Sequence, residues 1–332
     1  MTLEKEGTIA VGRVIESGPG PFVTHQLQRL ADGYHLVAHS RRHRKGLRPH
    51  RVREASRAKR LPSLEASAFR HLWAPGYLGW WIAILFMSGS LLFTVGGLGG
   101  AWPTALPGTL TEGASLARLF VVGALFFTAA AWLQWLEVLN RDISEALVPG
   151  MGTAWRWVGW RPRNLGYLAC TVQLAGTLLF NLSTIAATRS DLSVGQQEHW
   201  IWTPNMLGCV CFLVASYLVY AEVSHGVASF AIRSLSWWIA VLNLSGSVAF
   251  QLSALFSDVA SSPVAESSIF WSNLCTLSGG SCFLIGAYLL IPELFDEVPN
   301  ERSLAPYSGT EAKHAASEDD DRRDQTQNSP DG

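Results

Sequence analysis

The sequence predicts an all-α membrane protein with six transmembrane helices. Of 332 residues, 48% are hydrophobic and only 15% are charged, which is too apolar for an ordinary soluble domain. The apolar residues form six runs that approach the roughly 20 residues needed to cross about 30 Å of hydrocarbon. The runs cover residues 78–98, 116–138, 165–187, 204–222, 235–256 and 271–292. Several begin or end at Trp, which is typical of membrane interfaces.

Two repeated motifs predict that the six helices are three tandem hairpins. The pattern Gly-x3-Phe-x4-(Trp/Tyr)-Leu-x3-Glu lies in the second, fourth and sixth runs and begins at Gly123, Gly208 and Gly279. The pattern Gly-(Ser/Thr)-x2-Phe lies in the other three runs and begins at Gly89, Gly176 and Gly246. Because two crossings return the chain to the same side, the hairpins at about 78–138, 165–222 and 235–293 are predicted to be parallel repeats. The glycines are predicted to pack helices closely, with Phe filling the adjacent groove.

Polar side chains recur at every fourth residue in the third and fifth runs. They are Gln173, Thr177 and Asn181 in the third run and Asn243, Ser247 and Gln251 in the fifth. An amide in lipid loses its hydrogen bonds to water, so these side chains should face the bundle interior. Two interpretations stay open. Hydrogen bonding between helices is favoured because no charged residue accompanies the amides in mid-membrane, and the alternative is a polar path for a small solute.

Three carboxylates end the second, fourth and sixth runs. They are Glu137, Glu222 and Glu293. Each lies about 21 Å beyond its motif glycine, which predicts a position at the cytoplasmic boundary of the membrane. Hairpins around a pseudo-threefold axis would gather them into a ring that attracts cations at a pore mouth. The simpler and favoured interpretation is that each residue ends its helix at the headgroup level, as Pro292 indicates for Glu293.

The distribution of positive charge predicts that both termini are cytoplasmic. A basic run at residues 41–60 precedes the first helix, and Arg141, Arg156, Arg161 and Arg163 lie in the second connection. The expected organisation is a cytoplasmic segment 1–75, a transmembrane domain 76–295 and an acidic, disordered tail 296–332. No signal peptide is recognisable, so insertion into a bacterial plasma membrane is expected to rely on the first helix.

The N-terminal segment carries two further predictions. Partial alternation around the turn at Gly33 predicts a small β-hairpin within residues 22–39. The basic run 41–60 lacks interleaved aromatic residues, so attraction to anionic lipids is favoured over nucleic-acid binding. A solvated topology signal is the other interpretation of this run.

No catalytic, cofactor-binding or metal-ligating set can be assembled from the sequence. The five cysteines are odd in number and lie within apolar runs without a Cys-x2-Cys pair, which predicts packing roles. The histidines His25, His35, His39 and His43 fit no defined metal spacing. Without a nucleophile triad or phosphate loop, we expect a non-enzymatic membrane scaffold or accessory subunit, or alternatively a channel or carrier. Protein partners and oligomeric state are left open.

The repeats resemble those of the YrhK-like family of bacterial membrane proteins, whose unit is a two-helix hairpin. The similar passages are residues 88–93 and 282–293, and residues 40–46 resemble the segment that precedes such helices in multi-hairpin relatives. The resemblance covers residues from about 78 to 295 and is weakest in the central hairpin. It implies a helical-hairpin fold and no particular activity.

Overall fold

Six long helices dominate the computed structural model, which describes residues 14–31, 33–47, 49–53, 69, 72–143, 146–147, 155–227, 230–258 and 266–295. All six are long and apolar enough to cross a membrane. They are α1 (Leu78–Ala101), α2 (Gly113–Asn140), α3 (Leu165–Ala186), α4 (Val194–Ser224), α5 (Leu235–Phe256) and α6 (Glu266–Glu293). The prediction of a helical, multi-pass membrane protein is therefore confirmed. The acidic tail 296–332 and residues 54–60 of the basic run lie outside the described residues.

Helix α4 begins well before the predicted apolar run. Its first turn is stabilised by a capping box, in which the Ser193 hydroxyl accepts from the Gln196 N–H and the Gln196 side chain accepts from the Ser193 N–H. A π-helical turn at Glu198–Trp202 then joins this turn to the α-helix that starts at Thr203. Hydropathy misses these turns because the polar residues 196–199 interrupt the apolar run, although the turns continue the same helix.

The six helices form a closed ring in chain order. Each helix packs against the next, and α6 packs against α1. The two helices of each hairpin approach each other closely at the motif glycines. A Cβ on Gly89 would lie 2.9 Å from the carbonyl oxygen of Gly123, and one on Gly279 would lie 3.0 Å from that of Gly246. Such distances leave room for hydrogen only, so backbone meets backbone at these crossings.

A small antiparallel sheet lies at one end of the ring, which we call the sheet end. Its strands, in spatial order, are β1 (Ile15–Ser17), β2 (His25–Arg29), β3 (Tyr34–His39) and β4 (His50–Arg53). Strands β2 and β3 form a hairpin within residues 22–39, and Gly33 in its turn has φ +77°. The short helix Ser40–Arg44, which we call the basic helix, follows β3 directly and contacts α2 and α4.

We expect Gly279→Val to lower the free energy of unfolding in detergent by about 1–3 kcal/mol, because the new side chain overlaps backbone that cannot withdraw. The new Cβ would lie 3.0 Å from the Gly246 carbonyl oxygen and against the Phe250 ring. Gly113→Ala is the control, since no atom lies within 4 Å of its added Cβ. Chemical unfolding followed by circular dichroism measures both variants, and equal stability of the two would contradict the close crossing.

Candidate functional site

A cluster of buried charges joins the basic helix to the ends of three membrane helices. Glu137, Glu222 and Glu293 end α2, α4 and α6 at the sheet end and are 6%, 1% and 3% exposed. Three cations face them: Arg41 and Arg44 of the basic helix and Lys45, which follows it. Their spacing of i, i+3 and i+4 places them on one face of the helical turn. We call these six residues the charge cluster.

Charge-assisted hydrogen bonds pair five of the six residues of the charge cluster, and Glu137 is drawn to Lys45 and Arg44 by electrostatic attraction. The Arg41 guanidinium donates from Nε and Nη2 to the two carboxylate oxygens of Glu293 at 2.7 and 3.0 Å. Arg44 Nη1 lies 3.0 Å from Glu222 Oε2, and the Ser40 hydroxyl donates to Glu222 Oε1 at 2.7 Å. Lys45 also pairs with Glu293. The bidentate geometry of Arg41 is the strongest form that such a pair takes.

Each carboxylate lies against the first turn of a neighbouring helix, where the second residue is small. A Cβ on Gly79 of α1 would lie 3.7 Å from Glu137 Oε1, and one on Gly166 of α3 would lie 3.0 Å from Glu222 Oε1. In α5 the second residue is Ser236, whose hydroxyl donates to Glu293. The unpaired N–H groups of a first helical turn favour a carboxylate at this position.

Burial shifts the titration of Lys45. Loss of water lowers the pKa of this ammonium from 10.5 to about 8, and the attraction of Glu293 opposes the shift without cancelling it. Arg44 behaves differently, because Glu222 and further ionisable neighbours hold its pKa above the ordinary value in spite of burial. The cluster thus contains permanently charged guanidinium groups that need their carboxylates.

We expect Glu222→Gln to lower the free energy of unfolding by about 3–5 kcal/mol, because it leaves the buried Arg44 without a charged partner. The double variant Arg44→Met with Glu222→Gln should recover most of that loss, since no buried charge remains at this pair. Chemical unfolding of the detergent-solubilised protein measures both. Asp191→Asn, which breaks an exposed ion pair with Arg189, is the control. A Glu222→Gln variant as stable as this control would show that the buried pair contributes nothing.

Six phenylalanines form a layer across the centre of the ring, and every long helix contributes one. They are Phe93, Phe127, Phe180, Phe212, Phe250 and Phe283, all buried. The three from α1, α3 and α5 form one triangle, with ring centroids 5.5–6.3 Å apart. The three from α2, α4 and α6 form a second triangle, with centroids 5.9–6.3 Å apart. We call the two triangles together the Phe layer.

The two triangles are connected through the same helix pairs that cross at glycines. Phe93 and Phe127 have centroids 5.5 Å apart, Phe180 and Phe212 are 5.1 Å apart, and Phe250 and Phe283 are 5.3 Å apart. Most of these contacts are edge-to-face, the geometry that the quadrupole of the aromatic ring favours. The layer therefore closes the axis of the ring with apolar groups.

Two cavities lie on the axis, one on each side of the Phe layer. The far cavity, of about 190 Å³, touches Phe93, Phe180 and Phe250 and opens away from the sheet. Its polar lining consists of hydroxyls and amides: Ser183, Thr184, Asn205, Ser253, Ser257, Ser272, Asn273 and Thr276. The near cavity, of about 40 Å³, touches Phe127, Phe212 and Phe283 and reaches Arg41 of the charge cluster. Its other polar lining residues are Ser90, Gln134, Gln173, Ser216 and Asn243.

The predicted polar ladders do not share one surface. Gln173 and Asn243 line the near cavity. Asn181 instead donates to Thr128 Oγ1 on α2 at 2.8 Å, and Gln251 contacts the Met206 sulfur on α4. The hydroxyls in the middle of each ladder bond to backbone or to a neighbouring helix. Thr177 donates to the Leu174 carbonyl oxygen, and Ser247 lies 2.7 Å from the Ser216 hydroxyl.

Sequence reasoning missed three parts of this site. It did not connect the basic run with the three carboxylates, although the spacing of Arg41, Arg44 and Lys45 was visible. It assigned Ser90 to packing within the motif that begins at Gly89, and it did not single out Gln134, although both line the near cavity. Gln134 is a polar residue within an otherwise apolar run, and this was the available signal.

A cluster of three histidines connects the sheet to the end of α4. His25 and His39 face each other across β2 and β3, and His225, which has φ +51°, follows α4. The ring centroids lie 4.9–5.9 Å apart. His225 Nδ1 is 2.9 Å from Thr24 Oγ1, and its Nε2 is 3.2 Å from His39 Nδ1. No group of three potential ligands in the described part of the chain has the geometry to hold a metal ion.

We expect the protein to lose stability as the pH falls below about 6.5. Burial and the neighbouring His25 lower the pKa of His225 from 6.5, against the attraction of Glu222. The unfolded chain therefore binds this proton first, so stability is complete above pH 6.5 and declines as the pH falls towards the folded-state pKa.

His225→Asn should flatten this pH dependence, because Asn tolerates the left-handed backbone and does not titrate. His199→Gln, at an exposed position, should leave the slope unchanged. Thermal unfolding in detergent between pH 5 and 8 compares the three proteins. Identical slopes in wild type and His225→Asn would contradict the assignment.

Comparison with models of known families, with curated proteins and with solved structures finds no match for this chain. The class of the molecule follows from its own geometry: it is an integral membrane protein with six candidate spans in a closed ring.

Proposed function

We propose that the chain is a non-enzymatic protein of a bacterial plasma membrane that holds a passage for a small solute, closed in the state described. One observation supports this function above all: two polar cavities lie on the same axis and the Phe layer separates them. Ring-lining hydroxyls and amides that face an axial cavity are suited to replacing the water around a passing solute.

The passage is closed by the Phe layer and bordered at the sheet end by groups of different chemistry. The Phe layer excludes water because it presents only aromatic edges and faces to the axis. The charge cluster lies at the sheet end of the near cavity, where Arg41 is one of the lining residues. Opening therefore requires rotation of the phenylalanines, and the solute then passes beside Arg41 at the sheet end.

We also propose that the six helices are three tandem parallel hairpins, with the sheet end and both termini in the cytoplasm. Equivalent motif residues support this, since each hairpin contributes one glycine crossing, one pair of phenylalanines and one carboxylate. The sheet end also carries most of the described arginines of the connections, as the positive-inside rule requires. Membership of the YrhK-like family remains part of this proposal.

The basic run acquires a more restricted role in this arrangement. Arg41, Arg44 and Lys45 face carboxylates and are buried. Attraction to anionic lipids is accordingly proposed for the run 41–60 outside these three residues.

A scaffold or accessory subunit is the second candidate function. The observation that favours it is the continuity of the Phe layer, which ties all six helices together as a structural core does. In a scaffold the two cavities would be packing defects with no role in transport. Opening the layer distinguishes the two functions, because a passage would then conduct its solute and a scaffold would conduct nothing.

We expect Phe283→Ala to make liposomes that contain the protein permeable to at least one of urea, glycerol and NaCl. The substitution removes one of the three rings of a triangle that closes the axis. Stopped-flow light scattering after an osmotic jump measures each solute. The control is Phe270→Ala, which removes a ring that packs on Trp102 rather than in the Phe layer. A correctly folded Phe283→Ala protein that passes none of the three solutes would leave the scaffold as the function.

A further inference from the structure

We propose that the solute of this passage is a small uncharged molecule that donates hydrogen bonds, with the chemistry of a polyol or a simple amide. This inference rests on the proposed passage and names its substrate class. It follows from three properties of the described residues along the axis: polar atoms without a partner, a lining without uncompensated charge, and the size of the cavities.

The first property is the presence of two buried polar atoms without a protein partner in the near cavity. Ser90 Oγ and Gln134 Oε1 line this cavity and make no hydrogen bond within the described part of the protein. Ser90 is completely buried. A buried polar atom without a partner costs about 1–3 kcal/mol, so these two atoms need a partner, which is water in the closed state and the solute during passage. Because a carbonyl oxygen only accepts, the partner of Gln134 Oε1 must donate.

The second property is the chemistry of the lining. Among the described residues, the far cavity is lined by hydroxyls, amides and apolar groups, with no ionisable side chain other than the Cys209 thiol, which donates to the Phe250 carbonyl oxygen. The near cavity has Arg41 as its charged lining residue, and Glu293 accepts from its Nε and Nη2. An ion would therefore cross the Phe layer without a free counter-charge in the described lining, which a low-dielectric environment strongly opposes. An uncharged solute avoids that cost.

The third property is the size of the two cavities. The near cavity, at about 40 Å³, exceeds the ~10–15 Å³ that a single water molecule requires. The far cavity, at about 190 Å³, is larger than the ~150 Å³ that accommodates a benzene-sized molecule. A solute with roughly six heavy atoms therefore fits the far cavity, while the near cavity admits water in the closed state.

The far cavity offers both the hydrogen-bond donors and the hydrogen-bond acceptors that such a solute needs. Hydroxyl groups donate and accept, and amides carry two donors and an acceptor. Ser253 shows how these groups share bonds, because its Oγ lies 2.8 Å from Thr276 Oγ1 and 3.1 Å from Ser272 Oγ. A polyol or an amide can exchange with such hydroxyl contacts one at a time, which keeps every polar group paired during entry.

The test compares solutes rather than asking only whether the protein conducts. In Phe283→Ala liposomes we expect urea and glycerol to equilibrate at least about tenfold faster than in Phe270→Ala liposomes, with no gain for NaCl or potassium acetate. Passage of the salts as fast as urea would overturn the substrate class and leave the passage intact. Passage of no solute through folded protein would overturn both. Gel filtration and circular dichroism establish folding, and Phe283→Leu, a smaller change, replaces Phe283→Ala if the latter aggregates.

A second variant examines the near cavity directly. Gln134→Met on the Phe283→Ala background keeps the side-chain length and removes the unpaired acceptor. We expect it to slow urea and glycerol by up to about tenfold, the equivalent of one hydrogen bond, with unchanged circular dichroism. Gln196→Met, at the exposed start of α4, is the matched control. Equal urea rates with and without Gln134 would contradict its role in recognition.

Discussion

The pairing of the basic helix with the carboxylates of α4 and α6 is the interaction on which the remaining structure depends. Buried charges tolerate little displacement, because a shift of one helical turn, about 5.4 Å, would separate Arg41 from Glu293. Glu222 and Glu293 come from two different helices, so pairing with one short segment fixes the relative heights of α4 and α6. Since the same segment continues β3, the pairing also determines where the sheet lies on the ring. Apolar contacts associate the helices, and the charges decide their register.

The phenylalanines of the Phe layer also pack on the motif glycines at which the helices cross. In the second hairpin the Phe180 ring lies over Gly208, and in the third the Phe250 ring lies over Gly279. Helices in lipid gain little from burying apolar surface against each other, so close backbone approach and aromatic contacts must hold them together. The closure of the axis is thus inseparable from the contact within each hairpin. A phenylalanine that turns away from the axis also uncovers a glycine, which would couple the opening of the proposed passage to helix packing.

The six spans could be predicted because hydropathy is a local property, and the motif residues could be assigned to a face because the helical period is regular. The same reasoning does not predict that the members of each polar ladder face different surfaces. Successive positions four apart rotate by about 40°, so Gln173 and Asn181 point about 80° apart, and one reaches the near cavity while the other reaches α2. Periodicity also identifies one face of a helix, but it does not show which element packs against that face. For that reason periodicity predicts helix ends at the carboxylates and a lipid-attracting segment or a topology signal in the basic run, and it does not connect His225 with His39, 186 residues away.

The contact between α6 and α1 leaves the ring without a first or a last helix in space. Leu294, just after α6, packs on Gly79, and the rings of Tyr77 and Phe295 have centroids 5.7 Å apart. The two ends of the membrane domain are therefore as close as two helices joined by a loop. A fourth hairpin could not be appended to this ring without breaking that contact, so closure limits the ring to six long helices.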